Sequence, residues 1–176
     1  FNKKIKIMKQ LFSILFLAFA AGAFATVHTV SNTPSTLAQF NTVQAAVNAA
    51  ASGDTIYVHG SPNQYAAFTQ TNKQLTIMGP GFFPDKNLPF TAQIQGCTIT
   101  GATSSNSEYH GLTFVTALQI SSAHPDNLRF IRIHFAGIDV NMTQGSTTYT
   151  GYLFEGNLFD NATANATTSS TYQNFL

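Results

Sequence analysis

The stretch Thr36–Pro80 decides the fold: TLAQFNTVQAAVNAAASGDTIYVHG over 36–60, then YAAFTQTNKQLTIMGP over 65–80. Phe40, Val43, Val47 and Ala50 recur at spacings of three and four, the period of a helix that buries one face. Ala45, Ala46, Ala49 and Ala51 add propensity. The pattern predicts one helix from about Leu37 to Ala51, capped by Ser35 or Thr36 and ended by Ser52-Gly53. After Gly53 the period becomes two. Ile56 and Val58 alternate with Thr55 and Tyr57, and Leu75 and Ile77 flank Thr76, the pattern of strands with one buried face.

Outward from this stretch the chain continues in short strands. Residues 26–35 are an extended lead-in. Ile99, Leu112 with Phe114, and Ile131, Ile133 with Phe135 alternate with polar residues, and Gly, Asn, Asp, Ser or Pro separates the runs. Gly111-Leu-Thr-Phe114, Arg132-Ile-His-Phe135 and Gly156-Asn-Leu-Phe159 share a final phenylalanine, at spacings of 21 and 24 residues. Recurrence in the low twenties without further long helices predicts an all-β solenoid, a parallel β-helix. The helix at 37–51 is then expected to lie across its first, open end. An antiparallel sandwich explains the leading helix less well, and a leucine-rich solenoid lacks its leucine and asparagine pattern here.

Residues 1–25 have the order of a secretory signal peptide. Lys3, Lys4, Lys6 and Lys9 precede an apolar run from Leu11 to Phe19 and a small-x-small site at Ala23-Phe24-Ala25. That run is short for a membrane span, which needs about 20 residues. The expectation is an exported protein, secreted or at the cell surface, with no membrane span after cleavage. Beyond Ala25, four basic residues face seven acidic ones, a formal charge of −3. The basic balance of the whole chain therefore belongs to the leader, and no positive stripe remains for nucleic acid. Cys97 is the only cysteine, which excludes a disulfide within the chain and suits a small buried side chain. The closing residues Thr171–Leu176 carry no cap or charged tail, so residues 26–176 are read as the N-terminal portion of a longer domain that continues into further turns.

Phe40–Ala51, Gly53-Asp-Thr-Ile-Tyr-Val58, Tyr65, Leu75-Thr-Ile-Met-Gly79 and Gly111-Leu-Thr-Phe114 together resemble the secreted bacterial right-handed parallel β-helix proteins of the pectate-lyase-like superfamily. The resemblance covers about residues 36–160. It implies an all-β, right-handed parallel β-helix with an N-terminal capping helix, and a structural or carbohydrate-binding role with polysaccharide as partner. The alternative it implies is the first part of a polysaccharide lyase or glycoside hydrolase acting on acidic polysaccharide. Calcium enters only under the lyase reading.

No catalytic, cofactor or metal residue is assigned from sequence. Asp126, Asp139 and Asp160 are the carboxylates to weigh for a hard cation, which needs many oxygens. The step of 21 from Asp139 to Asp160 would stack two of them, yet Asp126 and Asp160 also suit ordinary turns. Asp139 with Asp160 or Glu155 is the pair to compare with a hydrolase's two carboxylates. Arg132 and His134 are expected on one outward strand face, with Arg129 nearby. Asn157 is expected inward at a bend, its amide satisfied by hydrogen bonds. His28, His59, His110 and His124 fit no zinc spacing. Gly79-Pro80-Gly81 reads as a turn and Phe82-Phe83-Pro84 as loop packing. Asn141, Asn161 and Asn165 match the glycan-acceptor pattern.

Overall fold

The structure is a computed structural model that describes residues 25–82, 90–121, 125–143, 150–160 and 164–167. Two sheets carry the chain, and every strand pair in them is parallel. The first sheet contains β1 (Val27–Val30), β2 (Thr55–Val58), β4 (Thr76–Met78), β6 (Glu108–His110), β8 (Arg129–Ile131) and β11 (Leu153–Glu155), in that spatial order. The second contains β3 (Phe68–Thr71), β5 (Gln93–Thr100), β7 (Thr113–Ile120), β9 (His134–Ala136), β10 (Asp139–Thr143), β12 (Leu158–Asp160) and β13 (Ala164–Thr167). β7 is long enough to pair with β9 along its start and β10 along its end. One α-helix is present among the described residues, α1 (Val43–Ala49), together with a single 3₁₀ turn at Ala102–Ser104.

Register brings like residues together in one shared core. Ile56, Ile77, Tyr109, Phe130 and Phe154 stand opposite one another along the first sheet, and all are buried. Phe114, Phe135 and Phe159 stand opposite one another in the second, the first two buried and Phe159 exposed. Ring centroids lie 5.1 Å apart for Tyr109 and Phe130, 4.9 Å for Phe130 and Phe154, and 4.6 Å for Phe135 and Phe159. These distances follow from the 4.7–4.9 Å spacing of strands. Each such pair contributes roughly 0.5–1.5 kcal/mol beyond burial. Gln70 is a fully buried polar side chain: it donates to the Lys73 carbonyl (2.7 Å) and Ser107 Oγ (2.8 Å), and accepts from Tyr109 Oη (2.7 Å).

The helix is shorter than its alanines suggest. Leu37 is 98% exposed, and the backbone of Phe40 is already committed to β1, donating to Thr29 and accepting from Ser31. The cap is therefore Thr42, whose hydroxyl accepts from Ala45 N (3.2 Å), rather than Ser35 or Thr36. At the other end Ala50 is extended and Ala51 N donates to Asp54 Oδ2 (2.7 Å), which stops the helix before Ser52. Lys73 Nζ donates to the carbonyls of Val47, Asn48 and Ala50 at 2.8, 2.9 and 2.7 Å, a cation placed on the negative end of the helix. Gln44 joins α1 to the edge of the second sheet: its Oε1 accepts from Thr69 N (2.7 Å) and its Nε2 donates to Thr69 O (3.1 Å).

These observations correct the expected class. In place of an all-β solenoid of the right-handed parallel β-helix type capped by a helix over 37–51, the described residues form a two-sheet parallel fold with one seven-residue helix. The step between partners in the first sheet is not constant. Val27, Thr55, Thr76, Glu108, Arg129 and Leu153 are successive partners, at steps of 28, 21, 32, 21 and 24 residues. The longer steps hold α1 and its lead-in, and the long β5 with the 3₁₀ turn. Residues 26–35, expected as a lead-in, supply β1, so the first sheet starts ahead of the helix. The run Ile131–Phe135, expected to alternate as one strand, is divided at Arg132 between β8 and β9 in different sheets, and Phe130 rather than Ile131 is the core residue of β8.

Candidate functional site

The outward side of the first sheet carries a connected set of charged and titratable side chains. On β6, Glu108 and His110 are two apart and point the same way, with Tyr109 buried between them. Arg129 stands opposite Glu108, and Ile131 opposite His110. His110 Nε2 and Glu108 Oε2 are 2.9 Å apart, and Arg129 Nη1 donates to Glu108 Oε1 at 2.9 Å. The His110 contact, helped by the Arg129 charge, holds the Glu108 carboxyl below its usual range against the opposing effect of burial. An ionised Glu108 is an acceptor, so His110 donates to it from Nε2.

Where these strands leave the sheet, Met78, Gly79, His110, Gly111, Arg132 and Glu155 help line a cleft of about 280 Å³. Its floor is backbone on backbone. A Cβ on Gly79 would lie 2.6 Å from the Gly111 carbonyl oxygen, so glycine is required there. The residues that follow His110, Ile131 and Glu155 take equivalent corner positions, and all three have positive φ: Gly111 at 59°, Arg132 at 53° and Gly156 at 61°. Arg132 is thus an arginine in a corner where its neighbours are glycines. Its N–H donates to the Glu155 carbonyl (2.9 Å), and its side chain lies over Gly156, whose added Cβ would come 3.7 Å from Arg132 Cγ. Among the described residues neither Arg132 nor Glu155 makes an ion pair.

The residues weighed from sequence fall in different places. Arg132 is outward, but His134 packs on Phe82 at 5.6 Å with its Nε2 buried, so the two share no face. Asp126 is a turn residue that accepts from Thr150 N (3.2 Å). Asp139 and Asp160 do not share a column: Asp160 stands opposite Ala136, while Val140 stands opposite Ala164, a step of 24 and not 21. Glu155 belongs to the other sheet from Asp139. Asn157 accepts from Ile133 N (2.7 Å) and donates to Phe130 O (2.9 Å), an amide fixing a bend. His28 is held by Asp54 at 3.1 Å, and His59 meets the Tyr57 ring edge-on at 5.0 Å. Cys97 is buried, and burial pushes its thiol well up. Asn141 lies within β10, whereas Asn161, His124, Phe83 and Pro84 lie outside the described residues.

Sequence reasoning missed the Glu108–His110–Arg129 chain because it treated the histidines as metal candidates. The available signal was Glu-x-His, an i, i+2 pair on one strand face. It also missed Arg132 as a corner residue. That signal was the alignment of Arg132-Ile-His-Phe with two segments beginning in glycine.

No family model, no curated protein and no solved structure matches this chain. The resemblance to the pectate-lyase-like superfamily accordingly identifies no family. No group of three or more His, Cys, Asp or Glu able to hold a metal exists among the described residues, and with the expected class corrected, the calcium-dependent lyase, the hydrolase and the carbohydrate-binding or structural β-helix role are corrected with it. The polysaccharide partner and the further turns of its own coil rested on that class and go with it. No helix among the described residues is long and apolar enough to cross a membrane.

Proposed function

We propose that this chain is an exported binding domain that recognises a small carboxylate-bearing ligand in the cleft at Arg132. The single observation behind the reading is the backbone of Arg132. A residue with a Cβ costs about 1–2 kcal/mol in the left-handed region, where glycine is free of that penalty. Both equivalent corners use glycine, so the arginine is retained at a conformational cost, and such costs concentrate at functional sites. A guanidinium carries a permanent charge and a planar fork of donors that matches a carboxylate. Among the described residues the cleft lining has no hydroxyl or thiol nucleophile, which favours binding over group transfer. Export rests on the leader-like order of residues 1–25.

Arg132→Gly separates function from fold. The variant is expected to gain about 1 kcal/mol of stability in urea unfolding, because the corner strain is relieved. It is also expected to lose binding of a simple carboxylate such as propionate in calorimetric titration. A variant that is less stable, or that binds propionate as well as the parent, would sink the proposal. Cleavage after Ala25 on expression with the leader in a bacterial host is the check on export.

A further inference from the structure

The cleft also carries a charge of the opposite sign, and this narrows the ligand. Arg132 and Glu155 line one cavity of about 280 Å³ with neither paired among the described residues. Their backbones are joined by the Arg132 N–H to Glu155 carbonyl bond, while the arginine stem is laid over Gly156. An anion alone would meet the guanidinium beside an unbalanced carboxylate. A dianion such as phosphate would meet a site whose two formal charges cancel. His110 also lines the cleft, with its Nε2 turned to Glu108. The lining thus presents one fork of donors for a carboxylate and one carboxylate for an ammonium.

We infer that the ligand is a small zwitterion of the α-amino-acid type, its carboxylate on Arg132 and its ammonium on Glu155. This rests on the carboxylate reading above and adds the second charge to it. The cavity is large enough for such a molecule, and Met78 and Ile131 give its lining apolar surface.

The test is a calorimetric comparison of three molecules of similar size on the whole chain at pH 7: alanine, propionate and ethylammonium. Alanine is expected to bind at least about tenfold more tightly than propionate, the factor set by one added charge-assisted contact, and ethylammonium to show no measurable binding. Glu155→Gln is expected to abolish the preference for alanine, both because the ammonium loses its partner and because propionate no longer meets a neighbouring carboxylate. Equal affinity of the parent for alanine and propionate, or an alanine preference that survives Glu155→Gln, overturns the zwitterion inference and leaves the carboxylate reading standing. Absence of binding by both alanine and propionate overturns the two together.

Discussion

Replacing Lys73 by methionine tests how a seven-residue helix persists. Such a helix is too short to be stable in isolation, and its last carbonyls lack intrahelical partners. Lys73 Nζ satisfies three of them at 2.7–2.9 Å. Methionine keeps the length and apolar stem of the side chain and removes the ammonium. Hydrogen bonds to a charged group contribute about 1.5–3 kcal/mol each in protected settings. Lys73 is only half-buried, so water recovers much of that, and a cation at a helix end contributes about 0.3–1 kcal/mol through the dipole. The expected net loss is about 2 kcal/mol. Lys73's own backbone bond to Gln70 is untouched by the change. Urea unfolding should show a lower midpoint at unchanged slope, and hydrogen exchange should show faster opening of the amides of Val43–Ala49. A variant within about 0.5 kcal/mol of the parent, or one whose lost protection lies elsewhere, would refute the assignment of Lys73 as the helix's C-terminal partner.

Gln70→Leu leaves Tyr109 Oη and Ser107 Oγ short of a partner inside the core, and about 3 kcal/mol of stability should be lost. Adding Tyr109→Phe should recover part of that loss in a double-mutant cycle, since the two removals share one hydrogen bond. Asp54 accepts from Thr26 N and Ala51 N at 2.7 Å and meets His28 at 3.1 Å, and the Thr26 bond foremost keeps its carboxyl below the ordinary value despite burial. A folded value below the unfolded one, about 3.9, means that the stabilisation is complete above that pH and is lost as pH falls through the folded value. Asp54→Asn should therefore cost about 1–3 kcal/mol at pH 7, with a difference from the parent that shrinks below about pH 4; a pH-independent difference in unfolding free energy would contradict this.

Period and propensity located α1 and most strand centres. The alternation Thr55–Val58 is β2, and the short runs about Ile77, Ile99 and Phe114 are β4, β5 and β7. Corners were harder to read. Asn72, Asn106, Asn127 and Arg132 all adopt positive φ; asparagine announces that conformation weakly and arginine hardly at all. The unmarked corner at Arg132 hid the break between β8 and β9, shifted the inferred core by one residue, and put His134 on the wrong face. The helix was overextended for a related reason. Alanine propensity belongs to the helix alone, whereas its limits at Thr42 and Ala50 come from groups outside it, β1 at one end and the Asp54 carboxylate just beyond the other. Glu108, His110 and Arg129 become one chain of contacts only when β6 and β8 pair, and a step of 21 residues in a sequence of unequal steps does not by itself disclose that pairing.

The single amide of Gln44, clasping both backbone groups of Thr69, has a consequence for how the molecule comes apart. An exposed strand edge invites pairing with another chain, and here that position of β3 is closed by a side chain held in place only while α1 is folded. α1 in turn is too brief to survive without the strands it leans on and the lysine that follows β3. Helix and edge therefore shelter each other and should open as one unit. A lesion in either one would bare an adhesive strand, so self-association is the failure expected at this end of the molecule.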